Sequence, residues 1–372
     1  MKKYLFMALL ILLLCIGCVD KRIHEEVEAF IGKQEQYVNE KNIIKYMDTI
    51  SKEKPEYLAE KKSWIRDIQM NDINDYNLKI EDIEIFSKDE VRLKLKQSYF
   101  YEGKKYSVKI PLLLKKENGH WKDNDLIFDE ISTTHFRIKY GEGLRKYAQA
   151  VANVCEIAYQ NIWHRYGEKI KDTTIIKIYE DEEILRQSVK LSFKWQFAGW
   201  YEYPESIKTT KFEEETYRKI LEHELVHKLT ISKSNNNMPY WFTEGLAVYF
   251  ANFPNEPKEH RKKSYYLNRY KDKRMDILKL EKANLEKMKD PKEISNYYDS
   301  AGMIVKFMIQ KYGLQKVKDI VEALGEFPYQ EGTGIEVDKE SIKRFHKVFK
   351  KEFGISVNDL NEEWISYLNE TE

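Results

Sequence analysis

Apolar and polar positions along the chain fall into several distinct rhythms. Residues 4–17 form an unbroken apolar or small run behind Lys2 and Lys3. Over residues 20–70, Val27, Phe30 and Ile31, then Ile43, Ile44 and Met47, recur at helical spacing, which predicts helices. The period then drops to two. Val91, Leu93 and Leu95 alternate with Arg92, Lys94 and Lys96, and Tyr106, Val108 and Ile110 repeat the alternation beyond a Glu102-Gly103-Lys104 turn. Trp121, after Asn118-Gly119, marks a further strand. Helices followed by an antiparallel meander predict a small α+β domain.

From about Ser132 the pattern restarts. Residues 135–138 read as a strand, and residues 144–166 as a helix with Tyr147, Val151, Val154, Ala158 and Ile162 along one stripe. Residues 175–179 form another strand. Phe197-Ala-Gly-Trp-Tyr and Ile207-Lys-Thr read as two strands joined through Tyr203-Pro204-Glu205-Ser206. Beyond Glu213 the pattern is almost entirely helical, with Gly313 and Gly354 placed as C-caps. The predicted fold class is therefore α+β. Residues 1–18 are read as a signal peptide, 19–131 as an α+β domain, and 132–372 as a second domain. Within the second, a sheet-containing part (132–215) precedes a helical part (216–372). No internal repeat is seen.

Composition narrows the function. Of 372 residues, 42% are hydrophobic and 13% aromatic, enough for full cores. Charged residues make up 34%, against about 25% in an average globular protein, so the surface is heavily solvated. Yet 63 Lys and Arg face 62 Asp and Glu, leaving +1. A balance this even argues against a dedicated nucleic-acid binder.

The fourteen-residue apolar run falls short of the roughly 20 residues that a membrane-spanning helix needs, and it fits the apolar stretch of a signal peptide. It ends at Cys15-Ile16-Gly17-Cys18, which resembles the bacterial lipoprotein signal, with Cys15 where Leu is usual. That resemblance implies acyl chains on Cys18 and a body on the extracytoplasmic face of the bacterial cell envelope. Only Cys155 would then remain free in the body, so no intramolecular disulfide is expected. The helix-and-meander pattern of the N-terminal domain resembles the NTF2-like superfamily. No polar constellation there suggests chemistry of its own.

The chemistry lies in Leu221-Glu-His-Glu-Leu-Val-His-Lys-Leu, which contains His223-Glu224-x-x-His227. The flanking Tyr217, Ile220, Leu221, Leu225 and Leu229 keep a helical period. On a helix, four residues rotate about 400°, so both imidazoles project from one face with Cβ atoms about 6 Å apart. Two nitrogens at that spacing can share one metal ion. Glu224 stands beside the pair, where a carboxylate can act on an attacking water without displacing a ligand. A third ligand is sought in Met238-Pro239-Tyr240-Trp241-Phe242-Thr243-Glu244-Gly245-Leu246-Ala247. Pro239 suits a helix start, and a second helix turned back on the first would face Glu244 toward the histidines. Trp241, Phe242, Leu246 and Val248 surround Glu244 with core residues, and a buried carboxylate needs a cation.

His223-Glu224-x-x-His227 followed by Trp241-x-x-Glu244-Gly245-Leu246-Ala247 resembles the gluzincin metallopeptidases, in particular the peptidase MA-like group. The resemblance spans roughly residues 133–372. It implies one zinc ion on His223, His227 and Glu244, with Glu224 as base and proton shuttle. It also implies a small mixed sheet packed on a mainly helical half, and a peptide or protein substrate. Thermolysin-type relatives carry an Asp four residues after the Glu ligand as support for a histidine. Here that position is Val248, so the support must come from elsewhere. The sixteen residues between His227 and Glu244 are fewer than in the aminopeptidase branch, whose specificity is not carried over. MA-like relatives often place a Tyr where Tyr297 stands, in Asn296-Tyr297-Tyr298-Asp299-Ser300, with Tyr298 as the fallback. Such a phenol could donate to the oxyanion. By the same analogy Gly199, Trp200 and Tyr201 would form an edge against which substrate lies extended.

Other signals carry less. Cys155 and His164 lie nine residues apart, about 900° of helix rotation, and so on opposite faces. His24, His120, His135, His260 and His346 stand alone. The basic, tyrosine-rich stretch 258–274 reads as a solvated helix face rather than a patch for anionic polymer. Two rival classes remain: an envelope lipoprotein that binds through its N-terminal domain and retains a metallopeptidase fold without catalysis, and a chaperone using the 197–209 edge.

Overall fold

The computed structural model describes residues 2–193, 198–332 and 334–370, with side chains from residue 20 onward apart from Asp272. Phe197, and the side chain of Cys18, lie outside the described residues. The chain forms two units, Met1–Asp129 with Glu183–Ser192, and Glu130–Glu182 with Phe193–Glu372. The class is mixed α+β, with a small antiparallel sheet toward the N-terminus and a mainly helical C-terminal half.

In the first unit, α1 (Lys2–Asn39), α2 (Ile43–Asp48) and α3 (Pro55–Met70) precede a four-stranded meander of β1 (Ile73–Ser87), β2 (Glu90–Tyr101), β3 (Lys104–Glu117) and β4 (His120–Leu126). No helix among the described residues is long and apolar enough to cross a membrane. The predicted turns are tight hairpins. Glu102 and Gly103, and again Asn118 and Gly119, have positive φ in pairs, the geometry that matches strand twist. Val91, Leu93 and Leu95 are buried, as their alternation requires.

This unit also contains Glu183–Ser192, which lies within the 132–215 stretch assigned by sequence to the second domain. There Trp64 Nε1 donates to Gln187 O at 2.9 Å and Tyr99 OH donates to Leu191 O at 2.9 Å. Leu191 is buried in a core with Trp64, Ile68 and Tyr99.

The second unit is built on a five-stranded sheet in the order β5-β6-β7-β9-β8. Its strands are β5 (Asp129–Ser132), β6 (Phe136–Tyr140), β7 (Thr174–Ile178), β8 (Gly199–Trp200) and β9 (Ile207–Thr209). β6, β7 and β9 run parallel, whereas β8 pairs antiparallel to β9 and forms an edge. The helix α4 (Arg145–Tyr166) follows β6, and after β7 the chain enters α5 (Glu182–Val189), which from Glu183 onward belongs to the first unit.

The helical part begins with α6 (Glu214–Lys233) and α7 (Tyr240–Ala247), which runs into a π turn (Val248–Asn252) and the single turn α8 (Phe253–Asn255). It continues through α9 (Lys263–Tyr270), α10 (Ile277–Lys282), α11 (Pro291–Tyr312), α12 (Leu314–Leu324), α13 (Gly334–Phe353) and α14 (Val357–Asn369). Gly313 and Gly354 end α11 and α13, as expected. One core joins the sheet, α4, α6, α7 and α11. In the basic stretch, Lys263 donates to the carbonyls of Tyr367 and Glu370, and Arg261 to those of Pro254 and Glu256. These two cations are tied to main-chain carbonyls of the fold.

Candidate metal centre

α6 carries His223, Glu224 and His227 on an uninterrupted helix whose Tyr217, Leu221, Leu225 and Leu229 are buried beneath it. α7 packs back against α6. Asn235 and Asn236 turn the chain between them in the left-handed region, where Asn is tolerated. Pro239 stands at the N-cap of α7, and Asp338 Oδ1 receives the Tyr240 N–H at 2.7 Å. Gly245 lets α7 sit close on α11: a Cβ there would lie 2.6 Å from Ala301 O.

These elements bring three ligand atoms together. His223 Nε2 lies 3.2 Å from Glu244 Oε2, His227 Nε2 lies 3.1 Å from His223 Nε2, and His227 Nε2 lies 3.4 Å from Glu244 Oε2. The cluster fits a metal on its geometry. Ligands bonded at 2.0–2.1 Å around a tetrahedral zinc ion are separated by about 3.3 Å. It also fits on charge. Burial alone would lower the pKa of His223, but Glu244 outweighs it and raises it to about 9. Burial likewise opposes ionisation of Glu244, but the two imidazoles hold it down to about 2. A buried carboxylate flanked only by imidazoles demands positive charge between them.

Support for His223 comes from the π turn. Its Nδ1 faces Asn252 Oδ1 at 3.1 Å, a contact that favours a hydrogen on Nδ1 and would leave Nε2 to a metal ion. His227 Nδ1 is buried with no hydrogen-bond partner among the described residues.

Glu224 sits beside the cluster, 6% exposed. Burial raises its pKa, and the nearby histidines pull the other way. All four residues line, or stand at the wall of, a cavity of about 630 Å³, together with Gly199, Trp200, Tyr201, Tyr240, Asn252 and Tyr298. The strand β8, at the end of the sheet, therefore borders the cavity. Its approach depends on Gly199, where a Cβ would meet Ile220 Cγ2 at 2.5 Å and Glu224 Oε1 at 2.8 Å.

Tyr297 does not line this cavity. It is fully buried in the core. Of this adjacent pair it is Tyr298 that lines the wall, its ring centred 6.2 Å from that of His223. One residue turns a helix by about 100°, so only one of two adjacent tyrosines can face the cleft. Of the two, it is the fallback Tyr298, not Tyr297, that lines the cavity. Burial and the nearby Glu244 and Glu224 push its pKa well up, so it keeps its proton.

Sequence reading missed Asn252 and Glu222. Glu222, itself on α6, is fully buried, and its only hint was a charge among apolar helix positions. Cys155 is buried with its pKa raised by burial to about 11, the character of a structural thiol.

Residues 29–132 match a family model described as anti-sigma-I factor RsgI9, C-terminal domain. That match stops short of the cluster. No curated protein is significantly similar to the chain. Among solved structures, native yeast LTA4 hydrolase is similar at a TM-score of 0.37 and 10% identity, over 75% of this chain and 43% of that one. The chain thus spans less than half of that structure's length, and a likeness this weak carries no argument. The reading of the centre rests on its own geometry.

Proposed function

We propose that the chain is a zinc-dependent peptidase, tethered at the cell envelope through acyl chains on Cys18. The observation that carries the hydrolase reading is the convergence of His223, His227 and Glu244 at 3.1–3.4 Å in a cleft that also holds Glu224. Zinc bound there would supply Lewis acidity and make a water acidic near neutral pH.

The remaining work belongs to side chains and backbone. An extended peptide would lie along β8, which borders the cavity, where main-chain bonds give affinity that does not depend on side-chain identity. Glu224, its pKa raised, takes the proton from the attacking water and returns it to the leaving amine. Tyr298, still protonated, donates to the oxyanion as it forms. Asn252 keeps His223 in the tautomer that binds.

The test is metal content beside cleavage. Glu224→Gln is expected to retain one zinc per chain and to lose at least about 10²–10⁴-fold in turnover of a peptide mixture. Turnover at the wild-type rate in that variant would sink the mechanism. His223→Ala is expected to lose the metal.

A second reading is favoured by the match of residues 29–132 to an anti-sigma factor domain. In it the N-terminal unit recognises an envelope ligand and the second unit does not cut. A buried Glu224 beside the cluster speaks for catalysis, since a binder has no use for the base. Chelator-sensitive cleavage separates the two.

A further inference from the structure

Asn252 reaches His223 from a place where an ideal helix would not put it. It lies eight residues after Glu244, and eight α-helical steps turn through about 800°, leaving it about 80° around the axis. Residues 248–252 instead form a π turn, closed by Phe253 N–H onto Val248 C=O, five residues back. A π turn holds more residues per turn than an α-helix, so each step rotates less and the eight steps fall nearer two full turns. Asn252 thereby returns toward the face that carries Glu244.

A wide turn of this kind is rare and needs a reason to persist. One carbonyl within it, Phe250 O, accepts from Arg165 Nη1 at 3.1 Å. The same nitrogen donates to Glu222 Oε2 at 2.6 Å. Glu222 also accepts from Asn161 at 2.7 Å, from Arg218 at 2.6 Å and from Asn255, just past the π turn, at 2.6 Å. A buried carboxylate with four donors is costly to disturb and correspondingly rigid. Through it α4, α6, the middle of the π turn and α8 just beyond it are tied together.

We propose that the Arg165–Glu222 pair is a positioning device for His223. By gripping Phe250 O and Asn255 it fixes the π turn, and through Asn252 it fixes the ring orientation and tautomer of His223. This rests on the metal-site reading above. Neither Arg165 nor Glu222 touches the cluster, so both act at a distance on cation affinity.

The test is the zinc dissociation constant of the full chain, measured by chelator competition without reference to activity. Asn252→Ala is expected to weaken binding about 10–100-fold, and Asn252→Asp, which keeps the acceptor, to restore it. Arg165→Lys, one bond shorter, brings no donor to the position of Nη1, from which both bonds are made, and is expected to weaken zinc about tenfold. Because Arg165 acts through Asn252, the double variant Arg165→Lys/Asn252→Ala should bind no more weakly than Asn252→Ala alone.

Wild-type affinity in Arg165→Lys, or losses that multiply in the double variant, would overturn the proposal. If melting shows that Arg165→Lys does not fold, Asn255→Ala carries the same cycle, since it removes one donor and leaves the ion pair. Wild-type protein that binds no zinc would fail the metal reading and this proposal together. Zinc-binding wild type with an indifferent Arg165→Lys fails this proposal alone.

Discussion

At the scale of residues, the centre is set by what is missing as much as by what is present. A Cβ on Gly199 would crowd both Ile220 and Glu224, so Gly199→Ala must displace either the carboxylate or the edge strand. A misplacement of about 1 Å near the chemistry can cost on the order of 10² in rate. Gly199→Ala is therefore expected to keep its zinc while kcat/KM falls about 10–100-fold. Unchanged kcat/KM would show that Glu224 does not depend on this approach.

Asp338 offers a pH signature. Burial pushes its carboxyl up to about 6, and the Tyr240 N–H only partly offsets this. The folded chain thus holds this proton more tightly than the unfolded chain. The stability it contributes is fully present below the unfolded value near 4 and is lost as pH rises through about 6. About two units correspond to roughly 2–3 kcal/mol. Asp338→Asn keeps an acceptor for Tyr240 without the buried charge. Its melting temperature should exceed wild type at pH 8 and match it near pH 4.

Residue by residue, legibility followed geometry. The spacing of His223 and His227 dictates a shared face on any regular helix, so the pair could be read directly. Tyr297 ranked ahead of Tyr298 by analogy alone, because adjacent tyrosines in an apolar helix look alike until the packing of α11 decides which lines the cavity. Asn252 was invisible because a π turn follows no local sequence rule, and regular spacing pointed to Val248.

Among elements, agreement was best where one period held throughout. The alternation in β2 and β3 and the helical stripes of α4 and α6 survive intact in the structure. β1 went unread although it spans fifteen residues. Its register against β2 shifts three times, and each shift breaks the alternation that would have announced it. Those shifts also blunt a long exposed edge. α5 was missed for another reason: it is short, and its buried face includes Arg186 and Gln187, which look like solvent residues. Arg186 donates to Tyr99 OH, and Gln187 accepts from Gln97 at 2.8 Å. The close crossing of α7 and α11 was partly legible. Gly245 stood in the motif, but its counterpart Gly302, where a Cβ would meet Val248 Cγ1 at 2.3 Å, carries meaning only once the two helices are brought together.

For the whole molecule, the feature that linear reading could not supply is the path of the chain. It leaves the second unit after Glu182, contributes Glu183–Ser192 to the core of the first, and returns at Phe193. A cut near residue 130 would therefore strip this segment of Trp64, Asp67, Gln97 and Tyr99, its partners in hydrogen bonds. Leu191 is fully buried at the centre of that docking. Leu191→Asp places an unpaired carboxylate there and removes apolar contact, a change expected to cost the first unit about 3–5 kcal/mol. The ligand cluster lies wholly in the second unit and shares no residue with that core. Hydrogen exchange in Leu191→Asp should accelerate across residues 43–126 and 183–192 while zinc stoichiometry stays at the wild-type value. Loss of zinc together with that acceleration would mean that the two units fold as one, and that the metal centre depends on the N-terminal core.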